Sequence, residues 1–342
     1  MNIKKLEDWY LTHHRDLPFR QTKDPYQIWV SEIMLQQTQV ETVLPFFKTF
    51  IKKYPTIYDL AQSFEDDLKK DVEGLGYYQR FKNMRLTAQK VVKEHHGQIP
   101  NHYQELIQLP GIGPYTAGAI LSIAYDQPIS AVDGNVIRVL SRYYNLNDDF
   151  SQVANKKRLN DINQSLIEKA RPSIYTQALM ELGALVCRPK KPQCGVCPLQ
   201  DQCEAFKLGI QESLPTKKVK PIKKKLHYFT FLLFDNKGEL YVRQRTEKLL
   251  EGMYEYPQFL GQTLAEVLEK NANYGITILQ KEGMYHHEFT HLSWKMSVYS
   301  GTVQNPNSSW HLVTPKELLQ LPMAVAHRKI AIKKGASAPL TL

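Results

Sequence analysis

Four cysteines, Cys187, Cys194, Cys197 and Cys203, are the only ones in the 342 residues and fall within seventeen positions, with six, two and five residues between them. A hydrophobic core has no use for four thiols crowded into one short stretch, so the pattern reads as a metal centre that pins the chain into a loop. From residue types alone, a zinc site and an iron–sulfur cluster are both open. The first residues, MNIKKLEDWYLTHHRD, lack the apolar core of a secretory leader, and no apolar run approaches the length of a bilayer span. The expectation is a cytoplasmic protein without a membrane segment, whose cysteines serve as ligands rather than disulfides.

A net charge of +10 suits a chain that meets a polyanion. There is room for two domains. Residues 1–215 read as short helices separated by proline and glycine signals, with almost no strand-like alternation. Residues 216–225, TKKVKPIKKK, have little to bury and read as a basic linker. Beyond it the period changes: strands are expected at 226–234, 239–244 and 294–303, and helices at 264–270 and 324–334, which makes residues 226–342 an α+β domain. The tail after Lys334 is expected to be disordered.

Two stretches of the helical part carry chemistry. Residues 109–115, LPGIGPY, put Gly111 and Gly113 in a tight turn and Pro114 where a helix over 115–124 begins. Unpaired N–H groups at such a helix start can hold a phosphate without a basic side chain. Twenty residues after Gly113, Asp133-Gly134-Asn135 opens a helix over 135–144 with a carboxylate at its N-cap. Ordinary turn and cap roles account for each half taken alone. The second stretch, residues 27–40, QIWVSEIMLQQTQV, reads as one helix with Trp29, Ile33, Gln36/Gln37 and Val40 on one face and Ile28, Glu32, Leu35 and Gln39 beside it. Between Ile28 and Leu35, Glu32 would be desolvated and would keep a proton near neutrality, as a general acid must. The bland alternative is a glutamate at the edge of an amphipathic helix.

The string LPGIGPYTAGAILSIAYDQPISAVDGN resembles the helix-hairpin-helix motif, with its downstream aspartate, of the DNA glycosylases related to endonuclease III. SEIMLQQTQV resembles the adenine glycosylases of the MutY type, and the cysteine spacing resembles the 4Fe–4S loop of the same superfamily. The resemblance implies a multidomain chain: an all-α helix-hairpin-helix glycosylase domain with an iron–sulfur loop, followed by an α+β Nudix-like domain. The first would hold a six-helix barrel module at about 21–127 and an iron–sulfur module from 1–20 and 128–215. Carried over residue by residue, it makes Glu32 the acid that protonates the leaving adenine and Asp133 the carboxylate that stabilises the sugar cation. Tyr115 and Asn135 would assist them, and Phe19, Arg20, Leu35, Val40 and Gln177 would surround the adenine. Gln36, Gln37, Tyr77, Gly111, Gly113 and Arg188 would contact DNA, and one 4Fe–4S cluster would sit on the four cysteines.

Many family members have Trp where this chain has Phe19, and Glu where it has Gln177. A carboxamide still pairs with an adenine edge. Relatives that cut the DNA backbone carry a lysine early in the helix after the hairpin; this chain has Tyr115, so hydrolysis should end at an abasic site. Lys156 and Lys157 read as surface charge, and Arg188, Lys190 and Lys191 as phosphate contacts on the cluster loop. In the C-terminal part, residues 252–260, GMYEYPQFL, resemble a Nudix fold, but the paired glutamates of the hydrolase signature are missing from GQTLAEVLEKNANYGI. The family uses such a domain to recognise 8-oxoguanine, here through Phe289, Thr290 and His291. His286, His287 and His291 would be exposed loop residues rather than a metal site. The resemblance thus implies a monofunctional, monomeric enzyme acting on duplex DNA with adenine opposite 8-oxoguanine, and an abasic-site endonuclease as partner. An oxidised-pyrimidine glycosylase with lyase activity and a non-catalytic iron–sulfur regulator are the alternatives.

Overall fold

A computed structural model describes residues 1–216, 223–289 and 291–333. The helices are α1 (Ile3–His13), α2 (Pro25–Leu35), α3 (Val40–Lys53), α4 (Ile57–Gln62), α5 (Glu65–Asp71), α6 (Gln79–Glu94), α7 (Tyr103–Leu106), α8 (Pro114–Ile123), α9 (Gly134–Tyr143), α10 (Val153–Ile167), α11 (Pro172–Leu185), α12 (Glu204–Lys207), α13 (Leu264–Lys270), α14 (Pro315–Gln320) and α15 (Val325–Lys333). The strands are β1 (Lys224–Phe234), β2 (Leu240–Gln244), β3 (Tyr254–Glu255), β4 (Gln258–Leu260), β5 (Ile276–Glu288), β6 (Leu292–Val303) and β7 (Trp310–Val313). The chain divides into two compact units, Met1–Ser63 with Gln79–Val219, and Phe64–Tyr78 with Lys220–Leu342.

In the first unit every regular element among the described residues is helical. The single helix expected over 27–40 is in fact two. The buried guanidinium of Arg80 on α6 donates to the carbonyls of Ile33 (2.9 Å), Met34 (2.8 Å) and Gln36, and to Thr38 Oγ1 (2.9 Å). Those carbonyls would be needed to continue α2, so the helix stops at Leu35. Gln37 then turns through the left-handed region at φ 57°, and Val40 starts α3. The faces drawn for residues 36–40 therefore do not hold.

The hairpin between α7 and α8 forms as Gly111 requires, while Gly113 takes an ordinary extended conformation as the N-cap of α8. Gly111 has φ 77°, and a Cβ there would lie 2.8 Å from Asn83 Cβ. Thr87 Oγ1 holds the turn by donating to the Pro110 carbonyl at 2.6 Å. Within α8, a Cβ on Gly118 would lie 2.2 Å from the Ser130 carbonyl oxygen, so the segment leading into α9 passes directly against α8. The core beneath is made by α1, α9 and α11, with Leu6, Tyr10, Val136, Leu140, Tyr175, Leu179 and Leu182 buried together.

In the second unit a seven-stranded sheet has the order β3-β2-β1-β6-β5, with β4 also on β1 and β7 on β2; β1 and β6 run parallel. Alternation along β1 sends Leu226, Tyr228, Leu232 and Phe234 into one core and Phe229, Phe231 and Leu233 into the other. The first strand starts at Lys224, inside the expected linker; residues 217–222 of that linker, and the tail from 334, lie outside the described residues. Residues 64–78, assigned to the first domain on sequence, belong here. Glu73 forms an ion pair with Arg328 (Nη2–Oε2 2.9 Å), and Lys70 donates to the Leu319 carbonyl at 2.6 Å.

The expectation of a loop of exposed histidines holds for His291, which is exposed between β5 and β6, and fails for the other two. His286 and His287 stand on β5, His286 exposed and His287 half-buried. Bulges between Ile278 and Gln280 and between Lys281 and Gly283 break the alternation that would announce this strand.

Candidate active site and iron–sulfur loop

A cavity of about 580 Å³ opens in the first unit between α2, the start of α3, α8, α9 and α11. Phe19, Arg20, Glu32, Leu35, Gln36, Gln37, Val40, Tyr115, Asp133, Asn135 and Gln177 all line it. Sequence placed these residues in one site across 159 positions; the fold gathers them. Gly111, Gly113 and Arg188 lie elsewhere on the same unit, Arg188 exposed. Tyr77 belongs to the second unit, 54% exposed and left-handed at φ 46°, as do Phe289 and His291; Thr290 lies outside the described residues.

Both acids are buried, and their hydrogen-bond partners differ. Glu32 is buried on α2, and burial pushes its carboxyl up to about 7 against the pull of the Tyr115 hydroxyl, which donates to Glu32 Oε2. Asp133 is the N-cap of α9. Burial raises its carboxyl too, but Val136 N–H (2.7 Å) and Asn135 Nδ2 (2.8 Å) donate to its two oxygens and favour the ionised form. One acid is thus built to hold a proton near neutrality and the other to carry charge.

Several residues of the site carry no motif. Arg138, one turn after Asn135, lines the cavity and donates to Asn135 Oδ1 (2.7 Å), the Gly183 carbonyl (2.7 Å) and the Cys187 carbonyl (2.7 Å). It therefore joins the carboxylate's partner to the first cysteine of the loop. Glu181 is fully buried and takes Arg15 (2.9 Å) and Arg20 (2.7 Å). Despite burial, which pushes it up, those guanidiniums hold its carboxyl at about 2. Gln177 donates its amide nitrogen to the Ser173 carbonyl at 3.1 Å, leaving its amide oxygen without a hydrogen bond among the described residues. Spacing alone could have flagged Arg138; nothing local flags Glu181, 166 residues from Arg15.

Close packing at Gly183 matters for the same reason. A Cβ there would lie 2.5 Å from Asn135 Cβ, so Gly183→Ala must displace Asn135 from Asp133. Overpacking of this kind costs about 1–3 kcal/mol. The expected result is a lower melting temperature together with a reduced single-turnover rate, checked by thermal denaturation and rapid quench.

The cysteine loop fits an iron–sulfur cluster. All four thiols are free and half-buried, and Cys187, Cys197 and Cys203 pack on the α9–α11 core. Burial pushes the Cys197 thiol up to about 12, and the other three sulfurs add to that rise, so the four converge. Arg142 Nη1 donates to Cys187 Sγ at 3.3 Å.

Residues 30–168 match the HhH-GPD superfamily of base excision DNA repair proteins, residues 187–203 the iron-sulfur binding domain of endonuclease III, and residues 229–333 a NUDIX domain. Among solved structures, a thermostable thymine-DNA glycosylase is similar at 27% identity and a TM-score of 0.55, over 60% of this chain and 95% of that one. Fold, cavity and loop define a DNA N-glycosylase of the helix-hairpin-helix class with one 4Fe–4S cluster and a Nudix-like second unit.

The adenine DNA glycosylase of Buchnera aphidicola subsp. Baizongia pistaciae is 35% identical over 96% of this chain and 95% of its own length. That of Arabidopsis thaliana is 32% identical over 95% of this chain and 63% of its own. The human one is 43% identical over 61% of this chain, which spans 40% of that protein. The chain belongs to the adenine DNA glycosylase family: it binds DNA and removes adenine in base excision repair. No helix among the described residues is long and apolar enough to cross a membrane.

Proposed function

We propose that the enzyme removes adenine paired with 8-oxoguanine in duplex DNA, by hydrolysis and without cutting the backbone. The observation that supports the chemistry is the meeting on one cavity of Glu32, whose carboxyl burial pushes up to about 7, and Asp133, whose two oxygens accept hydrogen bonds from Val136 N–H and Asn135 Nδ2 that favour its charged form. An adenine swung out of the duplex enters this cavity, at a cost of a few kcal/mol in lost stacking. Phe19, Leu35 and Val40 pack against the base, and Arg20 and the free oxygen of Gln177 meet its polar edge. Glu32, steadied by Tyr115, gives its proton to adenine N7, because an anionic purine leaves poorly. The C1′–N9 bond breaks with its electron pair going to the base, and the carboxylate of Asp133, held by Asn135, stabilises the oxocarbenium ion until water attacks C1′. Among the described residues lining the cavity there is no lysine, so no amine stands ready to form a Schiff base.

On the first unit Gln36 and Gln37 enter the base stack and Gly111, Gly113 and Arg188 hold phosphates; on the second, Tyr77 intercalates. Phe289, Thr290 and His291 read the opposing base. The enzyme works as a monomer on chromosomal DNA in the cytoplasm and passes its abasic product to an endonuclease. Incubating excess enzyme with duplexes holding adenine opposite 8-oxoguanine, guanine or thymine, followed by alkali, tests the proposal. Strand breaks should form fastest with 8-oxoguanine, and His291→Ala should narrow its lead over guanine by about tenfold, the worth of one lost hydrogen bond. Equal rates opposite 8-oxoguanine and guanine in the unaltered enzyme would refute the choice of partner base.

A further inference from the structure

The sheet of the second unit carries a row of basic side chains, part of it open to solvent. His286 on β5 pairs with Lys295 on β6, and Lys295 pairs with His227 on β1, so the three side chains stand abreast on one face. The adjoining row holds Lys225, Ser293 and Glu288. Its one carboxylate is already taken, by Lys223 (2.7 Å) and the Ser293 hydroxyl (2.6 Å). Further along the same face, α13 packs on Phe229, Phe231 and Tyr299 through Val267, and His227 lies against Phe229 at the edge of that cluster. Lys225 and His286 are exposed; His227 and Lys295 are half-buried. His227 Nε2 meets Ser297 Oγ at 2.9 Å, and burial together with the Lys295 charge holds its imidazole below its ordinary value. No hydrogen bond or ion pair among the described residues engages the Lys295 ammonium.

Lysines commonly guard sheet edges against unwanted pairing. Lys295 stands on an inner strand, between β5 and β1, where no edge needs guarding. With strands about 4.8 Å apart the row spans about 10 Å, the reach of about three phosphates at 3.4 Å of rise each.

We propose that Lys225, His227, Lys295 and His286 form a phosphate track by which the second unit grips the sugar-phosphate backbone of duplex DNA, independently of base identity. DNA is the occupant because the enzyme already binds it and because the Lys225 and Lys295 ammoniums stand beside the His286 and His227 rings, a set that can both neutralise and hydrogen-bond phosphate oxygens. Lys295→Glu and His286→Glu in the full-length, cluster-loaded enzyme test this by anisotropy over a salt series, on an undamaged duplex and on one with adenine opposite 8-oxoguanine. Each variant should weaken binding to both duplexes alike, by about three- to tenfold, and lower the slope of log K against log salt by about one. The single-turnover rate at saturating enzyme should not change. Because His286 is exposed on an edge strand, its variant stays informative if Lys295→Glu folds poorly. Unchanged affinity and salt slope in His286→Glu and a folded Lys295→Gln would overturn the track. A loss confined to the 8-oxoguanine duplex would overturn it as well, by assigning the row to base reading; loss of the 8-oxoguanine preference itself bears on the proposed function instead.

Discussion

Replacing Asp133 by asparagine is expected to slow adenine release by about 10³-fold, the scale of removing one preorganised group that faces developing charge. Asparagine caps helices as well as aspartate does, and its amide oxygen can still accept the Val136 N–H that Asp133 Oδ1 now takes at 2.7 Å. The fold should therefore persist, with stability changed by no more than about 1 kcal/mol. What disappears is the negative charge together with the oxygen that accepts Asn135 Nδ2 at 2.8 Å, and a rate loss in a variant that melts normally assigns the effect to the carboxylate and not to the fold. A variant within tenfold of the parent in single-turnover rate would remove Asp133 from the reaction.

Glu32→Gln tests the other half and should slow release by about 10²–10⁴-fold, the span of general acid catalysis. Its signature lies in the pH profile. With the carboxyl at about 7, the parent holds the needed proton below that pH and loses rate about tenfold per unit above it. On the acid side the rate falls as Asp133 takes up a proton, at a pH above the ordinary aspartate range because burial raises it. The two acids feel each other, so the limbs report the pair. The glutamine variant should lack the alkaline limb. Stability moves the opposite way. A carboxyl raised from 4.5 to about 7 costs the folded state nothing below pH 4.5, and the penalty grows until it is complete above pH 7. It then amounts to about 3 kcal/mol. Glu32→Gln should accordingly melt higher than the parent at pH 8 and gain little at pH 5, as measured by calorimetry at both.

Where the sequence carried a local rule, it was legible. The glycine turn before α8, the aspartate cap of α9, the cysteine spacing and the alternation of β1 each follow from a few adjacent residues, and each appears in the fold. What depends on distant partners was not. Arg80 sits 44 residues from the carbonyl of Gln36 and ends a helix whose own apolar pattern would continue it. Strand β5 hides because two bulges shift its inward face and its edge position leaves most of it wet. Glu181 reads as an ordinary helical glutamate until Arg15 and Arg20 arrive from the far end of the unit.

That last pairing bears on how the enzyme comes into being. Arg15, Phe19 and Arg20 leave the ribosome more than 150 positions ahead of the α11 groups that complete their wall. A nascent polypeptide that has already displayed Glu32, Tyr115 and Asp133 still lacks the floor against which a purine would be gripped. Synthesis therefore delivers the acids before the vessel, and a translation product truncated ahead of α11 should be harmless to the genome rather than a source of stray abasic lesions.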